Sequence, residues 1–129
     1  MAEIIEYTAI KSYTDIEQSK KLAKILPIES ADMYYKPAAG FCTEPSEPMI
    51  GNIEYAHPRS IRCWSLAALL KCLSKIKQHV YTPILFPSEG KWILQFAEYG
   101  HGNVCEVSCG NPVDACVEMI VKLKERDLI

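Results

Sequence analysis

From Val80 to Cys109 the sequence reads with a period of two and is interrupted at two glycine-bearing turns, a pattern that few folds accommodate. In the clearest run, Trp92 to Tyr99, the residues Trp92, Leu94 and Phe96 face one way and Ile93, Gln95 and Ala97 the other, as the pleat of a β-strand requires. The run from Val80 to Phe86 reads as a neighbouring strand. Its Pro83 cannot donate to a ladder, which places that strand at a sheet edge. Pro87-Ser88-Glu89-Gly90 supplies a turn with a glycine for positive φ. Gly100-His101-Gly102-Asn103 turns the chain back so that Val104 to Cys109 pairs with the central run, with Cys105, Val107 and Cys109 inward and Glu106 and Ser108 outward. The expectation is a three-stranded antiparallel meander with Trp92–Tyr99 in the middle.

The segments on either side change to the period of a helix. Leu66, Leu69, Leu70, Leu73 and Ile76 recur on one helical face, Ser65 stands where an N-cap belongs, and Lys71, Ser74, Lys75 and Lys77 fall towards water. At least one of Leu69 and Leu70 should be fully buried, with Trp64 packed just ahead of the first turn. Asn111-Pro112-Val113-Asp114 opens the last helix with a good cap, a proline at its first position and an anion in its first turn. The apolar positions from Val113 to Leu123 cover so much of its circumference that it should be deeply packed. Near the N-terminus, Thr14-Asp15-Ile16-Glu17 reads as a capping box that starts a helix ended by Pro27. Met33-Tyr34-Tyr35 has strand character.

Residues 36–62 carry Pro37, Pro45, Pro48 and Pro58 with Gly40 and Gly51, so the span reads as a Pro-rich irregular loop. A loop of that length is unusual in a compact domain, and the part around Ile50 to Tyr55 should lie extended against something. The predicted fold class is therefore α+β: a single domain over residues 1–129 with helices packed on one face of the meander. A composition of 49% hydrophobic and 23% charged residues fits a globular chain, and the formal net charge of −2 gives little general attraction for nucleic acid. The N-terminus shows no secretory signal and no stretch approaches the ~20 apolar residues of a membrane span, which points to the cytoplasm. There the six cysteines stay reduced.

Three blocks carry a resemblance: Ala31-Asp32-Met33-Tyr34-Tyr35, then Cys63-Trp64-Ser65-Leu66 with Ala68-Leu69-Leu70, then Pro112-Val113-Asp114-Ala115 with Glu118-Met119. In this order they resemble a group of small uncharacterised proteins carried by gut anaerobes and their phages, with Cys116-Val117 in place of that group's Ala-Phe. The resemblance implies a shared origin and a one-domain architecture. It brings no activity with it.

Candidates for chemistry are few. His101, Cys105 and Cys109 are evenly spaced, but residues four apart on a strand lie ~13 Å apart, too far to share a zinc ion with ~2.3 Å bonds. No C-x₂-C pair is present, so neither a metal nor any other cofactor is expected. Cys63 stands ahead of the central helix, where the dipole could lower its pKa, with His57 upstream, and Cys42 lies in the loop. A small Cys-dependent enzyme is one reading of these residues. No Gly-rich phosphate loop, G-x-S-x-G or H-E-x-x-H accompanies them, which weighs against an enzyme. The remaining cluster is Tyr34, Tyr35, Tyr55, His57, Arg59 and Arg62, flanking the Pro-rich loop. Tyrosine and arginine dominate protein-binding hot spots, and the same residues stack on bases and pair with phosphates. The leading reading is a non-enzymatic cytoplasmic interaction module that contacts a protein partner or a second copy of itself. The alternative is a nucleic-acid-binding accessory protein of phage-like origin.

Overall fold

The structure is a computed structural model and describes residues 10–36, 48–51, 60–76, 81–98 and 102–129. In chain order the elements are α1 (Ile16–Leu22), a short 3₁₀ helix (Ile28–Ser30), β1 (Met33–Tyr35), β2 (Met49–Ile50), β3 (Ile61–Cys63), α2 (Leu66–Ser74), β4 (Tyr81–Ser88), β5 (Lys91–Glu98), β6 (Gly102–Cys109) and α3 (Pro112–Glu125). The fold is α+β with two three-stranded antiparallel sheets, ordered β2-β1-β3 and β4-β5-β6.

The larger sheet is the meander that the alternation requires. The first hairpin is tighter than the sequence indicates: Pro87 pairs with Trp92 and Ser88 with Lys91, leaving only Glu89 and Gly90 in the turn. Both adopt positive φ, 51° and 77°, the geometry whose twist matches two paired strands. Cα partners in an antiparallel ladder share a face. Leu94 and Phe96 of β5 therefore point the same way as Leu85 of β4 and Cys105 and Val107 of β6. This face meets α2 and α3, and it forms one buried cluster with Ala68, Leu69 and Leu73 of α2 and Val113, Cys116, Met119, Ile120 and Leu123 of α3. Leu69 is fully buried and Leu70 half-buried. Ser65 and Asn111 cap their helices as their positions require, accepting from the backbone N–H of Ala68 (3.1 Å) and Asp114 (2.8 Å).

The smaller sheet is only partly visible in the sequence: Met33–Tyr35 is a strand and Ile50 is extended as expected, with 52–59 outside the described residues, but the pairing is not announced. Residues 36–62 are not loop throughout: Met49–Ile50 and Ile61–Cys63 are strands on either side of β1, with Met33 paired to Ile50 on one side and Cys63 on the other. Strands of two and three residues carry too little alternation to be read from pattern, and β1 supplies their ladder only after the chain has closed. β3 is prolonged beyond Cys63 by the segment before α1. Thr14 donates its N–H to the Trp64 carbonyl (2.9 Å), and the Leu66 N–H reaches Ser12 (3.0 Å).

That pairing also moves the first helix cap by one residue. Asp15, not Thr14, is the N-cap of α1: its carboxylate accepts the Gln18 N–H (2.8 Å), and the Gln18 side chain accepts the Asp15 N–H (3.1 Å). Thr14 is buried instead, with its hydroxyl accepting the Trp64 N–H (3.1 Å) and sharing a hydrogen bond with Ser19 (2.8 Å). A lysine then ties α1 to α3. Lys11 Nζ donates to Asp114 (2.9 Å), Asp15 (3.1 Å) and Gln18 (2.8 Å), while Gln18 and Asn111 both donate to the Asp114 carboxylate. Among the described residues no helix is long and apolar enough to cross a membrane.

Candidate functional site

The register of the smaller sheet sorts the tyrosine and arginine cluster into two faces. Tyr34 pairs with Met49 on one side and Arg62 on the other, so Met49, Tyr34 and Arg62 form one row across three strands on a shared face. Tyr34 and Arg62 are half-buried and Met49 is exposed. Ile50, paired with Met33 and so on the opposite face, is 85% exposed, the most open large apolar side chain among those described. Gly51, at φ 145°, turns the chain out of β2 beside the Tyr34 ring, where an added Cβ would meet Cε1 at 3.6 Å. No ion pair holds the Arg62 guanidinium among the described residues.

Tyr35 belongs to the opposite face and is not a surface residue. It is buried, and its hydroxyl donates to the Thr14 carbonyl at 2.6 Å. Burial, with Cys63 beside it, pushes the phenol well above its ordinary pKa. The alternation of β1 alone dictates that adjacent tyrosines part company, one out and one in. Tyr55, His57 and Arg59 lie outside the described residues. No sequence signal marks Met49 as part of this row, because a two-residue strand next to Pro48 has no periodicity to betray its faces.

The thiols offer little to a nucleophilic mechanism. Cys63 is fully buried, with its sulfur donating to the Thr14 carbonyl at 3.3 Å. Its pKa is raised by burial rather than lowered by the helix, and hydrogen bonds from Thr14, Tyr35 and Ser19 only partly offset this. The helix-dipole expectation for Cys63 fails because β3 places the thiol inside, three residues before the first helical residue. Burial likewise raises Cys72, Cys109 (to about 12, with Glu118 adding to it) and Cys116 (to about 12). A thiol held protonated is a poor nucleophile and a poor metal ligand. The five cysteines among the described residues are all unpaired, and no group of three His, Cys, Asp or Glu side chains there is placed to hold a metal ion.

One groove of about 620 Å³ opens between the 3₁₀ helix and α2, lined by Glu29, Asp32, Lys71, Cys72 and Lys75 among others. Its charges are mixed in sign. Asp32 is already engaged, accepting from the Ser65 backbone N–H (2.9 Å) and hydroxyl. With the Asp32 carboxylate spent on bracing the start of α2, the charges left in the groove are the exposed Glu29, Lys71 and Lys75, of mixed sign. The outward row of the smaller sheet is therefore the stronger candidate. No protein-family model, curated protein or solved structure matches the chain.

Proposed function

We propose that this chain is a cytoplasmic, non-enzymatic interaction module that binds a protein partner through the outward face of its smaller sheet. The observation that carries the reading is the cross-strand row Met49–Tyr34–Arg62, with Met49 exposed. Tyrosine, methionine and arginine are enriched in the buried centres of interfaces, and tyrosine and arginine among the residues that dominate their energy. The row rests on β1, whose other face is anchored by Tyr35, so its side chains are presented from a braced ladder. Little ordering cost remains to be met on binding. The chemistry fits a partner that sets an apolar side chain against Met49 and a carboxylate against Arg62.

The test is Tyr34→Ala combined with Arg62→Ala. Partners captured from host lysate by the wild type should be lost by the double variant while its circular dichroism stays unchanged. Loss of one such anchor typically weakens an interface by roughly 30-fold or more. If the double variant retains every partner of the wild type, the reading fails. Binding to DNA or RNA that collapses as salt rises would instead assign the surface to nucleic acid.

A further inference from the structure

The larger sheet has a second face that the core does not use. Ile84, Phe86, Ile93 and Ala97 all point away from α2 and α3, because each is offset by one residue from the inward set. Among the described residues none of them belongs to the core cluster or packs against it, and Ile84 is 43% exposed. Phe86 pairs directly with Ile93, and Ile84 sits one step along the same edge. Ile84, Phe86 and Ile93 make a continuous apolar patch on the β4 side of the sheet, with Ala97 beyond Gln95. Polar residues fill the rest: Lys91 at one end, and Gln95 with Glu106 diagonally across, Gln95 Nε2 donating to Glu106 at 2.9 Å. Lys91, Glu106 and Ser108 are exposed.

The layout is self-complementary. With strands ~4.8 Å apart and ~6.8 Å for every two residues, the midpoint between Lys91 and Glu106 falls beside Ile93. A two-fold axis lying in the face and crossing Ile93 then does three things at once. It sets Ile93 on its own copy, Phe86 against Ile84 of the partner subunit, and Lys91 against the partner's Glu106. The same rotation makes each contact twice, as an isologous interface requires. Strand addition at the neighbouring edge is disfavoured, because Pro83 and Pro87 leave β4 without two donors. An apolar partner must therefore meet the face and not the edge.

We propose that the outward face of the β4-β5-β6 sheet is a homodimer interface, in which two copies pack sheet on sheet about Ile93 with reciprocal Lys91–Glu106 ion pairs. This surface is separate from the Met49–Tyr34–Arg62 row, and the two readings stand independently. Three strands of eight residues cover about 14 by 27 Å of face, so the pair buries at most about 1,000 Å², the low end for specific association. The dimer is accordingly weak and concentration-dependent.

Sedimentation from ~5 to ~500 μM should show the weight-average mass rising from monomer towards dimer. Ile84→Glu, at a position open enough to tolerate it, should leave the far-UV spectrum unchanged and abolish the rise. Lys91→Glu replaces two attractions by two repulsions and should weaken association about tenfold. Lys91→Glu combined with Glu106→Lys should restore it. A wild type that stays monomeric up to the highest concentration overturns the proposal, as does a dimer indifferent to Ile84→Glu. A double charge reversal that fails to recover the dimer refutes this pairing of the faces. If the wild type is monomeric but loses a different protein through Ile84→Glu, the face belongs to that protein and not to a second copy. Tyr34→Ala with Arg62→Ala should leave dimerisation untouched, which separates this interface from the partner surface.

Discussion

The hydroxyl of Thr14 is the most exacting test of how this chain is assembled. It lies in a fully buried site, accepts the Trp64 N–H at 3.1 Å and shares a hydrogen bond with the equally buried Ser19 at 2.8 Å. Thr14→Val keeps the shape of the side chain and removes only this oxygen. The Trp64 N–H is then buried without its acceptor, which costs about 1–3 kcal/mol, and the Ser19 hydroxyl loses its partner for about 1 kcal/mol more. The expected loss is roughly 2–4 kcal/mol out of the ~5–15 kcal/mol that such a domain commands. At ~3–6 °C per kcal/mol for a chain of this size, the melting temperature should fall by roughly 10 °C. Thr14→Ser keeps the oxygen and gives up one methyl, so it should cost only about 1 kcal/mol. Urea unfolding followed by tryptophan fluorescence and by circular dichroism gives both values. If Thr14→Val stays within ~0.5 kcal/mol of the wild type, or is milder than Thr14→Ser, the hydroxyl does not join the N-terminal segment to β3 and the argument is wrong.

Two further outcomes follow from the packing and the charges. Leu69→Ala, at a fully buried position facing α3 and the sheet, should cost ~2–5 kcal/mol, whereas exposed Lys71→Ala should change the urea midpoint by less than ~0.5 kcal/mol; equal midpoints for the two would remove α2 from the core. The Asp114 carboxyl is held below its ordinary value of 3.8, because hydrogen bonds from Lys11, Gln18 and Asn111 outweigh the opposing effect of burial. A depressed folded pKa means stability present above 3.8 and lost as pH falls through the lower folded value. Unfolding midpoints measured from pH 5 down should decline less steeply for Asp114→Asn than for the wild type, and parallel curves would show that the Lys11 cluster contributes nothing.

The contrast between the two sheets shows how much could be read from residues alone. The meander, both long helices and their caps follow from local pattern: eight-residue strands alternate visibly, and Ser65 and Asn111 satisfy donors within three residues of themselves. These are short-range facts, and a sequence carries them in full. Assigning Pro83 to an edge strand succeeded for the same reason, since the missing donor belongs to the residue itself. The smaller sheet depends on partners 17 and 30 residues apart, Met33 with Ile50 and with Cys63, and β2 and β3 are too short to announce themselves. With it went the site. Which of Tyr34 and Tyr35 faces water, that Met49 joins Tyr34 and Arg62 in a row, and that Cys63 is sealed inside are all settled by register. The cap of α1 makes the same point. Both Thr14 and Asp15 are able N-caps, and the choice falls to Asp15 because the pairing of residues 12–14 with 64–66 draws the Thr14 hydroxyl into the interior. Sequence by itself determined the long elements and the inward faces of α2, α3 and β6. Tertiary closure decided which faces remained outward and beside what, because only contacts between distant segments tell one side of a short strand from the other.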